Sequence, residues 1–464
     1  MSEPDGKDSS PQPLGQGPVA PVVLEVEPDD WQRVCAPWQV ALEATARETH
    51  AVQRKRKLRS AVDLLRLALA YSQCDWSLQQ LGAWATAMQV SAAPMSNTAL
   101  QARLRGCRAW LSLLVGRLLK HVPAAPPAPG LRVRLIDATV ICQPGSRGTD
   151  WRVHLSWNAG TLSVDSLEVT DAHGGESLAR HAAQAGDVGV ADRGYARSGG
   201  LGDWLVQGAD VVVRSNGHDL ALETAPAERL DVRRWLQGLL PSTRQATCPV
   251  WVTTPSGRFG LRLIAQRLPD EVAAAARRRL QATSRKKGRT CSDLSLFMAG
   301  WVVLLTTLPE ALWPVDVVLG LYRLRWQVEL VIKRAKSLLN LDHLRAHDPE
   351  LVQVYLLGKL VGWLLLDGWT RQQAAQLADW FDVSDGPLSV WRWTALCADQ
   401  LRALVRGPFT LQRFLAALPK LKRYLHDRPR KRPQQLAHAR RFLLAFGLNP
   451  LEALNSRDLA ALGA

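Results

Sequence analysis

The sequence has no pair of cysteines at metal-binding or redox spacing. Its seven cysteines, Cys35, Cys74, Cys107, Cys142, Cys248, Cys291 and Cys397, are scattered and odd in number. That argues against a zinc site or a disulfide framework and reads as reduced structural thiols. An uninterrupted apolar run is also missing. The most apolar stretch, Leu351 to Trp369, contains Gln353, Lys359 and Asp367, so it reads as a buried core helix, and no membrane partner is expected. Near the start there is no apolar secretory segment: residues 1–30 hold seven acids against one base, and the expected location is the cytoplasm. No internal repeat is found, which excludes solenoids and arrays. Acids are scarce overall. Asp and Glu number 42 against 58 Lys and Arg, a net +16, and setting aside the tail's −6 leaves +22 on the remaining chain. Such an excess fits a polyanionic partner, nucleic acid first, with a plain basic enzyme as the bland alternative. What is abundant is apolar residue, 47% against 22% charged, enough for a sizeable core in roughly two to four domains.

Residues 1–30 read as a disordered acidic tail. Residues 31–121 read as helices. The cationic run Arg54, Lys55, Arg56, Lys57 and Arg59 precedes Val62, Leu65 and Leu69 at amphipathic spacing. Ser77 starts a short helix, Ala93-Pro94 breaks the chain, and Ser96 can cap a following helix with Leu100, Leu104 and Leu111 inside. The pair is similar to a helix-turn-helix that would turn Gln101, Arg103, Arg105 and Arg108 towards DNA; a small helical bundle with a basic surface is the competing reading. The proline-rich 122–130 segment is a semi-rigid linker.

From residue 131 the pattern turns to strands: 131–137, 150–157 and 161–170, the last two joined as a hairpin through Asn158-Ala159-Gly160. A helix is expected over 176–185, then a strand at 187–192, a helix near 201–207 and a strand at 210–213. That order predicts an α/β fold with a ribonuclease-H-like mixed sheet over 131–345. A β-rich domain is inserted at about 215–299, including a basic stretch from Arg277 to Arg289, and the chain returns through Trp301-Val302-Val303-Leu304-Leu305-Thr306. Residues 346–464 read as a helical C-terminal region with a basic segment at 419–433.

The chemistry concentrates in 321–340, which lacks Gly and Pro and reads as one helix. On it Tyr322, Arg325, Glu329 and Lys336 fall within a stripe about 60° wide, at about 100° per residue. An acid flanked by a phenol and two cations suits a metal ion beside a phosphate backbone, although ordinary charge pairing along a surface helix would look similar. Asp137 and Asp192 each close an apolar run and should sit at the ends of adjacent strands. Three converging carboxylates can hold hard divalent cations, and such a site can activate a water or 3′-hydroxyl against a phosphodiester. Asp165, Glu168, Asp171 and Glu176 are competing acids that spacing alone does not exclude.

Four motifs resemble the DDE transposases of the bacterial insertion-sequence-4 family: Asp137-Ala-Thr-Val140, Val169-Thr-Asp-Ala-His-Gly-Gly-Glu176, Ala191-Asp-Arg-Gly-Tyr195 and Tyr322-x2-Arg325-x3-Glu329-x6-Lys336. The segment from Ser96 to Leu104 matches more loosely. The resemblance implies Asp137, Asp192 and Glu329 as the catalytic, metal-binding triad for Mg2+, with Mn2+ as a substitute. Tyr322, Arg325 and Lys336 become contacts to the backbone of the transposon end, and Trp301 either a stacking platform for a flipped base or a core tryptophan. It further implies inverted-repeat DNA and target DNA as partners, a homodimer in the synaptic complex, and action at the bacterial nucleoid. The exposed-tryptophan reading of Trp380, Trp391 and Trp393 as assembly contacts competes with plain core packing. Two other functions fit the same residues: a ribonuclease-H-like nuclease without repeat dependence, and a catalytically silent DNA-binding regulator.

Overall fold

A computed structural model describes residues 30–52, 57–120, 131–225, 228–377 and 389–407. The acidic tail up to residue 29, Arg54, Lys55, Arg56, the proline-rich linker, Trp380 and the 419–433 segment lie outside the described residues. Six helices come first: α1 (Asp30–Cys35), α2 (Gln39–Glu48), α3 (Ala61–Gln73), α4 (Leu78–Ala87), α5 (Asn97–Arg105) and α6 (Arg108–Lys120). Their starts follow local chemistry. Ser60 accepts from the Asp63 amide, Ser77 forms a reciprocal capping box with Gln80, and Ser96 accepts from the Ala99 amide.

Ten strands then build one mixed sheet: β1 (Arg132–Ile141), β2 (Trp151–Asn158), β3 (Ser163–Asp171), β4 (Asp187–Ala191), β5 (Asp210–Arg214), β6 (Leu222–Ala225), β7 (Glu228–Arg229), β8 (Gln245–Thr254), β9 (Gly257–Arg267) and β10 (Trp301–Thr306). The spatial order is β3-β2-β1-β4-β5-β10-β9-β8-β6-β7. Both β1 and β5 lie parallel to β4, which is buried on both faces; this is why its sequence reads as a continuous apolar run. The remaining helices among the described residues are α7 (Ser198–Leu205), α8 (Val232–Gln237), α9 (Asp270–Lys286), α10 (Asp293–Met298), α11 (Val315–Arg323), α12 (Trp326–Leu339), α13 (Pro349–Leu377) and α14 (Val390–Arg406).

Strand alternation divides the core by face. Val133, Leu135, Val188, Val190, Val212 and Leu304 pack with α11, α12, α13 and the N-terminal helices. Ile136, Ala191, Val211, Val213, Val303 and Leu305 pack with α7 and Leu178. By length and composition, α13 could cross a membrane over Pro349–Arg371. Here it lies against α3, α5, α6 and α14, and its fully buried Lys359 donates to the Leu339 carbonyl at 3.0 Å. A Cβ at Gly358 or Gly362 would meet Ser72 or Gln73 of α3 at 2.7 and 2.4 Å, so these glycines allow the two helices to touch.

Several expectations are corrected. Residues 176–185 form only a single 3-10 turn, Leu178–Arg180. They cover a polar stretch of sheet, and a carbonyl that a helix would have used internally serves it instead: that of Ala182 accepts from Arg134 at 2.5 Å, while the His181 ring pairs with the Ser166 hydroxyl at 3.0 Å. The inserted segment does not stand apart as a body of its own. Its β9 pairs antiparallel with β10, from Arg267 opposite Trp301 to Arg262 opposite Thr306, so its strands continue the central sheet. The helix expected over 321–340 is broken at Leu324 and Arg325 into α11 and α12. Arg108 opens α6 and does not extend α5, because the chain turns at Gly106 and Cys107.

Candidate active site

The site forms where β4 stops. Ile136 of β1 pairs with Ala191 of β4, so Asp137 and Asp192 are the next residues level with each other on neighbouring strands. Asp192 leaves the sheet as the residue before the turn Arg193–Tyr195. Asp137, expected at a strand end, is in fact mid-strand: β1 continues to Ile141, held by β2 alone, with Ala138 through Ile141 opposite His154 through Trp151. Its side chain leaves the same face as its partner Leu155, towards α12.

The break in the 321–340 segment brings all four motif side chains onto this edge. The Tyr322 hydroxyl, from the end of α11, donates to Asp192 Oδ1 at 3.2 Å. Arg325 sits in the turn, with Nη1 3.6 Å from Asp137 Oδ2 and Nη2 on Glu329 Oε1. Lys336, two turns further along α12, donates to the Val140 carbonyl at 3.2 Å and lies 4.0 Å from Asp342. Asp137, Asp192 and Glu329 thus surround one guanidinium.

Charge explains the arrangement. Burial pushes the Asp137 carboxyl up to about 6; the Ala138 amide and Arg325 oppose this, while Glu329 and Glu176 add to it. The Tyr322 phenol is raised to about 12 by burial and by Asp192. Burial works against the Arg325 charge, yet Tyr322, Asp192, Glu329 and Asp137 together raise its pKa. The acids therefore carry negative charge that a cation must offset, and in this arrangement Arg325 offsets it.

Among the described residues no three acid, histidine or cysteine side chains are drawn together as a ready-made metal cage. The donor set still fits a hard divalent cation. It consists of three carboxylates, oxygen donors only, with their excess charge balanced by a single side chain that could give way to a metal. Of the competing acids, Asp165 pairs with Arg134 at 3.1 Å, Glu168 with Arg180 at 2.9 Å, and Asp171 accepts from the His173 amide at 2.9 Å. Glu176 is different. Its carboxylate crosses Gly194, where a Cβ would lie 1.9 Å from Oε2, and it acts on Asp137 electrostatically. The acid-rich motif Val169–Glu176 was the available sign of it in the sequence. Beside it, the buried Tyr195 hydroxyl has no hydrogen-bond partner among the described residues.

The other expected contacts separate. Trp301 is 5% exposed, and the Arg267 guanidinium lies 4.4 Å above its ring, so the indole is packed and covered. The half-exposed Trp326 next to Arg325 was not singled out in the sequence, being one tryptophan among eighteen. Arg103 donates to the Ala51 carbonyl at 3.4 Å, and Arg105 pairs with Asp348 at 3.0 Å and Glu350 at 3.6 Å; of the three, Arg108 is the exposed one. Trp393 is buried while Trp391 is partly exposed. All seven cysteines are free thiols.

Comparison with known proteins places this geometry. Residues 128–365 match the family described as Transposase DDE domain. The putative transposase InsL for insertion sequence element IS186A of Escherichia coli (strain K12) is 37% identical over 338 residues, covering 70% of this chain and 89% of the relative. The transposase for insertion sequence element IS421 of Escherichia coli is 37% identical over 339 residues with the same coverage. The transposase for insertion sequence element IS231F of Bacillus thuringiensis subsp. israelensis is 32% identical over 173 residues, covering 37% of this chain and 35% of the relative.

Proposed function

Because the chain belongs to the DDE transposase family, enzymes that act on DNA, we propose that it binds the inverted terminal repeats of its own insertion sequence, cleaves there and joins the 3′-OH ends to target DNA. The family uses a divalent metal; in this reading it is Mg2+, with Mn2+ as a substitute. The observation that carries the proposal is the meeting of Tyr322, Arg325 and Glu329 with the two strand acids, with Lys336 on the Val140 carbonyl three residues past Asp137. The first five strands, in the order β3-β2-β1-β4-β5 with β2 antiparallel to its neighbours, support a ribonuclease-H-like core.

Asp137, Asp192 and Glu329 would hold the metal, which when bound supplies activation of the attacking water or 3′-hydroxyl and neutralises charge at the phosphodiester. The protein's own groups do the rest. Tyr322 fixes the rotamer of Asp192 through its hydroxyl. Arg325 offers a planar fork of N–H donors at the point where a phosphate would arrive, and its cation is free to move from carboxylates to phosphate oxygens of equal charge. Lys336 secures the free end of β1, and so the height of Asp137, while presenting a cation along the same face. A homodimer that brings two ends together, acting at the bacterial nucleoid in the cytoplasm, completes the proposal.

The test uses Asp137→Ala, Asp192→Ala and Glu329→Ala in gel-shift and nicking assays on one preparation each. End binding should survive in each, since phosphate contacts elsewhere supply it, and nicking should be lost. Mg2+-dependent nicking by any one variant removes that residue from the triad. Wild-type nicking of scrambled duplexes as fast as of terminal repeats would favour a general nuclease.

A further inference from the structure

On the sheet face opposite α12, the same strand ends border a second recess. Its volume is about 400 Å3, and Arg152, Glu176, Ser177, Arg180, Gly194 and Arg197 line it. Strand parity puts it there: Asp137 pairs with Leu155 and Val140 with Arg152, three positions along, so Asp137 and Arg152 leave the β1–β2 ladder on opposite sides. Gly194 lies two residues past Asp192, and Glu176 reaches across it towards Asp137. The recess therefore opens at the edge that carries the three acids, but from behind.

Its lining has one acid and three guanidiniums. Arg180 is held by Glu168. Arg152 gives one N–H to the Gly174 carbonyl at 2.7 Å, while its Nε is buried without a partner among the described residues. Arg197 is exposed and makes no ion pair among the described residues. Burial and the charges of Arg180 and Arg152 hold nearby His154 down to about 4, a sign that the positive field is not cancelled. Arginine forks suit phosphate oxygens, and the volume is within the range of small-ligand pockets, room for one phosphate with its sugar.

We propose that this recess binds the phosphodiester backbone of the DNA outside the element, beyond the bond being cut, while Tyr322, Arg325 and Lys336 hold the element's own end on the other face. The proposal rests on the transposase reading given above and divides the substrate between the two faces of the sheet. Before cleavage the outside DNA is the donor flank; afterwards it is the target, and one backbone site serves either.

The experiment is fluorescence anisotropy with the full-length Arg152→Gln/Arg197→Gln variant on three probes: a pre-cut duplex ending at the element terminus, the same end carrying flanking DNA, and target duplex offered to the pre-cut complex. Binding of the pre-cut end should be unchanged. Binding of the flanked end, the target or both should fall about tenfold, with a salt slope flatter by roughly one to two, as for two lost phosphate contacts. Loss on the flanked end alone assigns the donor flank, and loss on target alone assigns the target. Equal loss on the pre-cut end, or no loss on any probe, overturns the proposal. Arg197→Gln alone, an exposed position, keeps the test open if the double variant does not fold, and Arg197→Lys should recover part of the affinity. Wild-type protein that binds repeat and scrambled ends alike would instead overturn the transposase reading and this assignment with it.

Discussion

Replacing Asp137 by Asn should end DNA cleavage and, above pH 6, make the metal-free protein more stable. The carboxyl is moved from 3.8 to about 6, chiefly by burial. A group that holds its proton more tightly folded than unfolded makes folding take up a proton between those two values. Stability therefore falls as pH rises from about 4 to about 6 and stays low above that. At about 1.4 kcal/mol per tenfold change in proton affinity, the cost above pH 6 is roughly 3 kcal/mol. Asparagine removes that cost and keeps the 2.8 Å bond from the Ala138 amide through its own oxygen. The approach of Arg325 at 3.6 Å opposes the shift and is already contained in it, so its loss is not a further cost. The gain is therefore up to about 3 kcal/mol, or a few degrees in Tm. Thermal melts of wild type and variant in EDTA at pH 4 and pH 8, with nicking assays on the same samples, read it out. The variant should melt higher at pH 8, and the difference should shrink or reverse at pH 4. Added Mg2+ should raise the wild-type Tm more than the variant's. A variant equally destabilised at both pH values would refute the electrostatic account of Asp137.

Gly194→Ala places a Cβ 1.9 Å from Glu176 Oε2, so the Glu176 carboxylate must swing away, at a cost of about 1 kcal/mol because it is the end of a flexible side chain; adding Glu176→Ala should return much of that in a double-mutant cycle, and strict additivity would show that the two do not meet. Trp301→Ala should lower stability by about 3–5 kcal/mol, as for an indole lost from a core, measured by denaturant melts; a loss under 1 kcal/mol would contradict its packed position. Lys359, held down to about 8 by burial, should make wild-type stability rise relative to Lys359→Met between pH 8 and pH 10, because the unfolded lysine keeps its proton over that window and the folded one does not. Parallel melting curves across that range would mean Lys359 stays charged when folded.

Where the sequence was readable, a local signal coincided with the final contact. Asp192 ends an apolar run that is buried on both sides, so the place where β4 stops could be read directly. Helix starts at Ser77 and Ser96 were readable because a cap is decided within four residues. The errors lie where a distant partner decides. Asp137 sits mid-strand because β2 pairs with β1 for five residues past the end of β4, which no pattern within β1 reveals. The turn at Leu324–Arg325 is not marked by Gly or Pro, and the strong helix formers around it pointed to one rod. The turn's backbone stays in the right-handed helical region, with amides bonding three residues back instead of four, and Arg325 there reaches both Asp137 and Glu329. Residues 176–185 have helical composition, but the sheet beneath them is polar and recruits their backbone. Of the three N-terminal arginines, two have partners 50 or more residues away, Ala51 for Arg103 and Asp348 for Arg105. Their engagement was invisible to a reading of α5 alone.

The end of α12 is tied down from both sides of the chain. Asn340, left-handed at φ 51°, donates to Asp75 at 3.3 Å, and Asp75 also accepts from Tyr355 of α13 at 2.6 Å. The preceding carbonyl, Leu339, is taken by Lys359. The helix that carries Glu329 is thus surveyed against two fixed points, one in the segment after α3 and one in the long helix after the catalytic sheet. A fragment cut at residue 131 would keep every acid of the site and still lose one of these bearings, together with the apolar cover that α3 and α6 lay over α13. Cleavage and the helices upstream of it cannot then be inherited or exchanged as independent cassettes: a recombinant that swaps residues 30–120 from a distant relative would have to bring a matching α13 to keep Glu329 in line.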